Sequence, residues 1–217
     1  MKNYSNILLF IFLTPFLLFN NQCAKTNDVE LINDTNDTTT NNVDTVYYGF
    51  VLNEVLYDPP SGSAGDANGD GVRDPNDDEF VEFVNDSDST INLSGYKIYD
   101  ATRLAAGTPN HEFPENTFLN PGQVVVVFGG GSPVGNFGGA LVFTASNQVL
   151  NLNNAGDMMT MTDSSGIIVL EFDVEPLSDN PNESYTRDPD LSGDFVQHNG
   201  VSGTLFSPGT KTDGTSF

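Results

Sequence analysis

The sequence predicts an all-β protein, an antiparallel β-sandwich of eight or nine strands over residues 46–210. Short runs of β-branched and aromatic residues recur along this stretch, and clusters of Gly, Pro, Asn and Asp separate them. No window carries the 3.6-residue period of an amphipathic helix. Sixteen Phe and seven Tyr supply enough apolar surface for a packed interior. Many short strands with frequent turns are typical of a sandwich.

The predicted strands follow one another at short intervals. In the second, either Val81 and Phe83 face the core or the strand contains a bulge. In the third, Ser94-Gly95 predicts a bend. The fifth is almost continuous valine, which is expected of a central strand covered on both faces. The predicted strands are Tyr47–Tyr57, Glu79–Val84, Ile91–Tyr99, Phe118–Leu119, Gln123–Phe128, Ala140–Phe143, Val149–Leu152, Met158–Thr162 and Ile167–Phe172.

The first residues predict export. Residues 1–22 have the features of a signal peptide, with Lys2 ahead of the apolar run Ile7–Phe19, which is too short to span a bilayer comfortably. The single cysteine, Cys23, follows directly and resembles the lipidated residue of a bacterial lipoprotein. Asn20–Gln22 depart from the small residues that usually precede such a cysteine. The alternative is an ordinary secretory signal with an incidental cysteine.

Residues 23–45 predict a disordered tether that begins at the lipidated Cys23, because they are almost wholly Asn, Thr and Asp and have no apolar period. Residues 211–217 are predicted to be a C-terminal tail. The expected location is the outer membrane, as a lipoprotein on the cell surface or the periplasmic face that touches the membrane through its lipid anchor only. A secreted protein is the alternative.

The composition excludes several functional classes. Seven Lys and Arg against thirty Asp and Glu give a net charge of −23, which argues against a nucleic-acid partner because phosphates require clustered bases. One cysteine excludes a disulfide framework. His111 and His198 are expected to be surface or hydrogen-bonding residues, and no nucleophile motif of the G-x-S-x-G type is present. The chain is therefore predicted not to be an enzyme.

One segment has the pattern of a calcium-binding loop. Residues 66–77 read DANGDGVRDPND, which is close to the twelve-residue EF-hand loop. Gly71 stands at the sixth position, where a sharp turn lets the side-chain oxygens converge. Because the last position holds an Asp in place of the longer Glu, Asp78 or Glu79 is expected to complete the shell. The predicted ligands are Asp66, Asn68, Asp70, Val72 through its carbonyl, Asp74, Asp77 and Asp78.

The predicted role of the Ca²⁺ ion is structural. Neither flank of the loop has a helical pattern, so the loop resembles the helix-free calcium loops of extracellular modules. Its carboxylates would repel one another without a cation. A solvated acidic turn is the alternative, since Asp, Asn and Gly populate loops in any case. The later run Gly129–Gly131 is expected to be a flexible loop between strands.

Several short motifs follow one another along the chain. They are Val51–Val55, Asp78–Asn85, Ile91–Tyr96, Phe113-Pro114, Leu119–Gly122, Asn151–Asp157, Asp163–Gly166, Ser184–Asp190 and Phe206–Gly209. Taken in this order, the motifs resemble the lamin tail domain family, although Tyr96 stands where the family often has Trp. The resemblance implies an immunoglobulin-like sandwich and a role in attachment or interaction without a shared catalytic site.

The function expected from these observations is that of a non-catalytic lipoprotein, a binding or structural module with a calcium-stabilised loop. Its partner would be a protein or a glycan at the cell envelope. One alternative is an accessory subunit that acts in trans with a secreted nuclease, phosphatase or protease. The second alternative is a metal-dependent hydrolase that uses the acidic loop.

Overall fold

The computed structural model describes residues 49–179 and 181–217. The strands are β1 (Phe50–Leu56), β2 (Phe80–Asn85), β3 (Ile91–Asn92), β4 (Lys97–Tyr99), β5 (His111–Glu112), β6 (Phe118–Leu119), β7 (Val124–Phe128), β8 (Leu141–Thr144), β9 (Met158–Thr162), β10 (Ile168–Asp173), β11 (Tyr185–Asp188) and β12 (Asp194–Gln197). The helices are α1 (Ala101–Ala106) and α2 (His198–Ser202), and 3₁₀ turns lie at Ser63–Gly65, Phe137–Gly139 and Glu175–Leu177.

The strands form two main sheets. One has the order β12-β11-β1-β2-β7-β8, the other has the order β10-β9-β4-β5, and β3 pairs with β6 separately. The predicted all-β sandwich is confirmed. One pair departs from the antiparallel arrangement, because β7 and β8 are parallel. The long connection through residues 129–140 returns the chain to the start of β7, and parallel neighbours require such a crossover.

The main hydrophobic core lies between the two sheets, and a second cluster lies on the opposite face of the six-stranded sheet. Val81 and Phe83 of β2 belong to the main core, whereas Phe80 and Val84 belong to the second cluster. Val81 and Phe83 therefore face the core, as the first of the two alternatives predicted, and the opposite face of β2 is buried as well. The register irregularity lies in β1 instead. We call the second group the outer cluster: Leu56, Ala67, Phe80, Val84, Val124, Val126 and Phe128.

The outer cluster is covered by segments that come later in the chain. Phe137 and Ala140 of the β7–β8 connection pack against it, as do Phe206 and Phe217 near the C-terminus. This cover explains why every residue of Val124–Phe128 is buried, as the valine run predicted. The last residue of the chain therefore packs on the sandwich.

Three local predictions need correction. Val149–Leu152 is not a strand: Leu150 and Leu152 are buried, but Asn151 has a left-handed φ of 60° that breaks an extended backbone. Two helices also exist where none was expected. α1 begins with the Asp100 carboxylate accepting from Arg103 N at 2.6 Å and ends at Gly107, and six residues are too few to show a helical period.

The predicted bend at Ser94-Gly95 is present, since Gly95 has a φ of 76° and separates β3 from β4. Within the described part of the chain, no helix is long and apolar enough to cross a membrane. The predicted signal peptide, the lipidated Cys23 and the tether all lie outside the described residues.

Candidate functional site

The connection between β1 and β2 contains Asp66–Asp78, which we call the calcium-type loop. The Asp66 carboxylate accepts from Gly71 N at 2.9 Å, the Asn68 side-chain oxygen accepts from Asp70 N at 3.0 Å, and the Asp70 carboxylate accepts from Val72 N at 2.9 Å. Gly71 has a φ of 91°, which a residue with a Cβ rarely adopts. The first, third and fifth positions thus hold the tight turn that their spacing predicts.

Asp78 acts as an internal brace of this loop. Its side chain is buried, and its two oxygens accept from Asn68 N at 3.1 Å and from Asp74 N at 2.8 Å. The Asp74 carboxylate accepts from Asn76 N at 2.8 Å. The structure therefore places Asp78 against the backbone of the loop, where it ties the first half of the loop to the second.

A run of three glycines, Gly129–Gly131, lies against the calcium-type loop and forms what we call the glycine wall. A Cβ at Gly129 would overlap the Asn76 carbonyl, and one at Gly130 would overlap the Asp77 carboxylate. Next to the wall, Ser132 N donates to the Asp70 carboxylate at 3.1 Å. The prediction of a merely flexible loop missed this contact. The sequence signal was three consecutive glycines, and only the fold shows what they approach.

The loop carries unbalanced negative charge. Burial, followed by repulsion from Asp74 and Asp70, raises the pKa of Asp77, and burial raises the pKa of Asp78. One oxygen of Asp66 is buried without a hydrogen-bond partner among the described residues. Across residues 49–179 and 181–217, no three or more His, Cys, Asp or Glu side chains converge as a ready set of metal ligands. The carboxylates are close enough to repel one another but are not gathered around a point.

A polar cleft of about 320 Å³ adjoins the end of the loop, and its lining includes Asp58, Arg73, Asn76, Glu79 and Asn153. Glu79 is buried and accepts from Leu152 N at 3.3 Å. Burial raises the pKa of this carboxyl to about 8. The Arg73 guanidinium donates to the Pro60 carbonyl at 2.8 Å, which fixes the loop to the segment that precedes it. The Glu79 carboxyl is thus hydrogen-bonded to the backbone at Leu152.

Neither histidine lies at the surface. His111 is buried between the rings of Phe113 and Phe143, with centroid distances of 4.5 and 5.7 Å. Burial lowers its pKa to about 4. His198 is also buried; its Nδ1 lies 3.0 Å from the Thr204 carbonyl and its Nε2 lies 2.8 Å from Ser207 Oγ. Its Nδ1 also lies 2.7 Å from Ser202 Oγ, so both ring nitrogens have polar partners inside the fold.

Sequence reasoning missed a second group of acids, on the strands themselves. Glu54 of β1 and Glu82 of β2 are fully buried and face each other in the β1–β2 register. The available signal was an acid in the middle of each apolar run, VLNEVL and EFVEFV. The alternation of a strand alone assigns such an acid to a solvated face. Because both faces of this sheet are buried, the sequence pattern did not indicate that these two acids are buried.

Comparison with protein families gives one finding. A family model described as Lamin Tail Domain matches residues 48–175, which is more than half of the 217-residue chain. The match includes β1 to β10, the calcium-type loop and both buried strand acids, and it ends before β11. Comparison with curated proteins gives no match. The immunoglobulin-like fold of this family agrees with the two-sheet architecture.

Proposed function

Because the chain belongs to the lamin tail domain family, we propose that it is a non-catalytic binding or structural module that is held at the cell envelope and stabilised by calcium. In this proposal Cys23 carries the lipid anchor and residues 23–45 form the spacer. The calcium-type loop takes up Ca²⁺, and the partner is a protein or a glycan. The immunoglobulin-like fold of the family supports a binding or structural role.

The observation that carries the calcium proposal is the pairing of oxygens and backbone N–H groups in the loop. Asp66, Asn68 and Asp70 are held in consecutive tight turns, and a buried oxygen of Asp66 has no partner among the described residues. Ca²⁺ prefers carboxylate, amide and carbonyl oxygens. In the proposed site Asp66, Asn68, Asp70, Asp74 and Asp77 would supply side-chain oxygens, and Val72 its carbonyl.

The bound ion would supply positive charge to a loop that lacks it. Carboxylates that repel one another hold a loop open, whereas a hard cation gathers them and removes the repulsion. The glycine wall would then set how closely Asp70 and Asp77 approach the ion, because Gly130 lies against the Asp77 carboxylate. The expected consequence is a more stable sandwich, since β1 and β2 are the strands that the loop joins.

Calorimetry and thermal unfolding of the mature chain test the calcium proposal. Titration with Ca²⁺ at constant ionic strength is expected to release or absorb binding heat and to raise Tm, by an amount that grows with the logarithm of free calcium. Asp70→Ala is expected to lose both effects, whereas Asp88→Ala, which removes an exposed acid outside the loop, keeps them. Absence of heat at millimolar calcium, together with an unchanged melting curve in chelator, would contradict the proposal.

The anchor and the partner require separate experiments. In cells, the full chain is expected in the membrane fraction, and Cys23→Ser is expected in the soluble exported fraction. Equal distribution of the two would remove the anchor from the proposal. Pull-down from envelope extract with the mature domain, with Asp70→Ala as the paired bait, tests whether partner binding requires the ordered loop.

A further inference from the structure

Two carboxyl groups lie opposite each other in the six-stranded sheet. Glu54 and Glu82 are directly paired in the antiparallel register of β1 and β2, and each is 0% exposed. Like charges placed directly opposite on neighbouring strands destabilise a sheet, and burial multiplies that cost because water no longer screens them. We call these two residues the acid pair.

Both members of the acid pair hold the same short segment near the C-terminus. Glu54 accepts from Ser207 N and Ser207 Oγ, each at 2.9 Å. Glu82 accepts from Gly209 N at 2.6 Å and from the Asn53 amide at 3.0 Å. Ser184 Oγ also donates to Glu54, at 2.6 Å. The hold on residues 207–209 therefore depends on the charge state of two neighbouring carboxyls.

The groups that face the acid pair do not balance it. His198 of α2 lies with Nε2 3.9 Å from a Glu54 oxygen. Asp190, in the turn after β11, lies beside Glu82 and adds a negative charge. Its carboxylate accepts from Thr212 Oγ1 at 3.2 Å, which is a further bond to the C-terminal segment. Glu183 accepts from Asn199 N at the start of α2. One imidazole thus faces Glu54, while Glu82 faces only acids and neutral donors among the groups that act on it.

The segment held in this way is the cover of an apolar surface. We call residues 204–217 the C-terminal strap. Phe206 of the strap packs edge-on against Phe80, with ring centroids 6.5 Å apart, and Phe217 packs on the same outer cluster. If the strap left, the part of that face beneath Phe206, including the Phe80 ring, would meet water, whereas Phe137 would still pack against Phe128.

We propose that the C-terminal strap is a proton-locked cover: one proton held by the acid pair keeps it closed, and loss of that proton releases it and uncovers part of the outer cluster. The chemical step is a simple ionisation. A carboxyl O–H bond of the acid pair breaks, the proton passes to water or hydroxide, and a second carboxylate remains beside the first.

The direction of the pH effect follows from the ionisation. Burial, with Glu54 as an added cause, raises the pKa of Glu82 well above its ordinary value, and burial also raises the pKa of Glu54 against the opposing influence of His198. An open strap exposes the pair to water, so the open form releases the proton at lower pH than the closed form does. The closed form is therefore favoured at low pH and loses its advantage as the pH rises through the raised pKa.

Hydrogen exchange of the full mature chain, read by mass spectrometry and corrected for the intrinsic exchange rate, tests the proposal. Between about pH 6 and about pH 9, strap amides are expected to lose at least about tenfold protection relative to β7 amides. A dye that binds apolar surface is expected to brighten over the same range. Glu82→Gln cannot ionise, but it has one accepting oxygen where Glu82 has two. Its strap protection is therefore expected to be lower overall and independent of pH, whereas the exposed control Glu115→Gln behaves as the wild type.

Two results would overturn the proposal. Parallel loss of protection in the strap and in β7 would mean that the whole sandwich opens, and a wild-type pH response in a folded Glu82→Gln would mean that another group controls the strap. Should Glu82→Gln fail to fold, the comparison of strap and β7 amides in the wild type still decides, because a strap as protected at about pH 9 as at about pH 6 has no proton lock.

Discussion

The calcium-type loop and the acid pair both crowd carboxylates, but they do so in opposite surroundings. In the loop the acids other than the buried Asp78 are partly exposed, and they are tied to backbone N–H groups only a few residues away. In the acid pair the carboxyls are fully buried, and they bind Ser207 and Gly209, more than a hundred residues distant in sequence. An exposed cluster can lower its repulsion by taking a cation, whereas a buried pair can do so by keeping a proton.

This difference determines how far through the fold the loss of a carboxylate is felt. Those of the loop shape a local turn, so their loss is felt near the loop. Those of the pair join β1 and β2 to the C-terminal strap, so their loss is felt across the sandwich.

The largest effect is expected from Glu54→Ala. The substitution removes the acceptor of Ser207 N and the carboxylate acceptor of Ser184 Oγ and Ser207 Oγ. It also leaves the His198 imidazole without its acid. Breaking such a buried group of polar contacts costs about 3–5 kcal/mol of unfolding free energy. Denaturant unfolding at neutral pH in chelator measures the loss. Asp70→Ala, measured in the same way, is expected to cost only about 1 kcal/mol.

Similar losses of unfolding free energy in Glu54→Ala and Asp70→Ala would contradict the difference between the two regions. Glu115→Ala, at an exposed position, provides the baseline and is expected to change stability by less than about 0.5 kcal/mol.

His111 is expected to make stability depend on pH in the direction opposite to that of the acid pair. Burial lowers its pKa to about 4 from an ordinary value of 6.5, so the unfolded chain binds a proton that the native state excludes. Stability is then lost as the pH falls from 6.5 toward 4, by up to about 3 kcal/mol. Urea unfolding at several pH values measures the slope. His111→Leu is expected to flatten this part of the difference curve, and an unchanged slope would place the acid sensitivity elsewhere.

Sequence patterns predicted the structural features that depend on residues close together in the chain. The valine run identified a strand buried on both faces, Ser94-Gly95 marked a real bend, and the 66–77 spacing matches a loop whose turns are closed by bonds between residues two to five apart. Val149–Leu152 failed because apolar residues can be buried without joining a sheet. α1 was missed because its capping residue Asp100 and Gly107 enclose a helix too short for a period.

The acid pair was beyond sequence reasoning for a different reason. An acid at alternate positions of a strand is ordinarily a sign of a solvated face, and here that face is covered by the C-terminal strap. Only the register of β1 with β2 and the path of the strap bring Glu54, Glu82 and Ser207 together. The predicted calcium ligands remain predictions, since the structure places them in one loop without gathering them as a set.

A smaller effect than that of Glu54→Ala is expected at the contact between the glycine wall and the calcium-type loop. Gly129 lies so close to the Asn76 carbonyl that a Cβ would overlap it, and its N–H donates to the Glu79 carbonyl at 2.7 Å. Gly129→Ala must push the loop away from β7, which costs about 1–3 kcal/mol and is expected to weaken calcium binding in calorimetry. Gly200→Ala, where an added Cβ meets nothing within 4 Å, is the matched control. If Gly129→Ala lowered stability but left the calcium titration unchanged, the glycine wall would stabilise the fold without shaping the ion site. A change at the calcium-type loop would then affect the stability of the whole sandwich, as a change at the acid pair does.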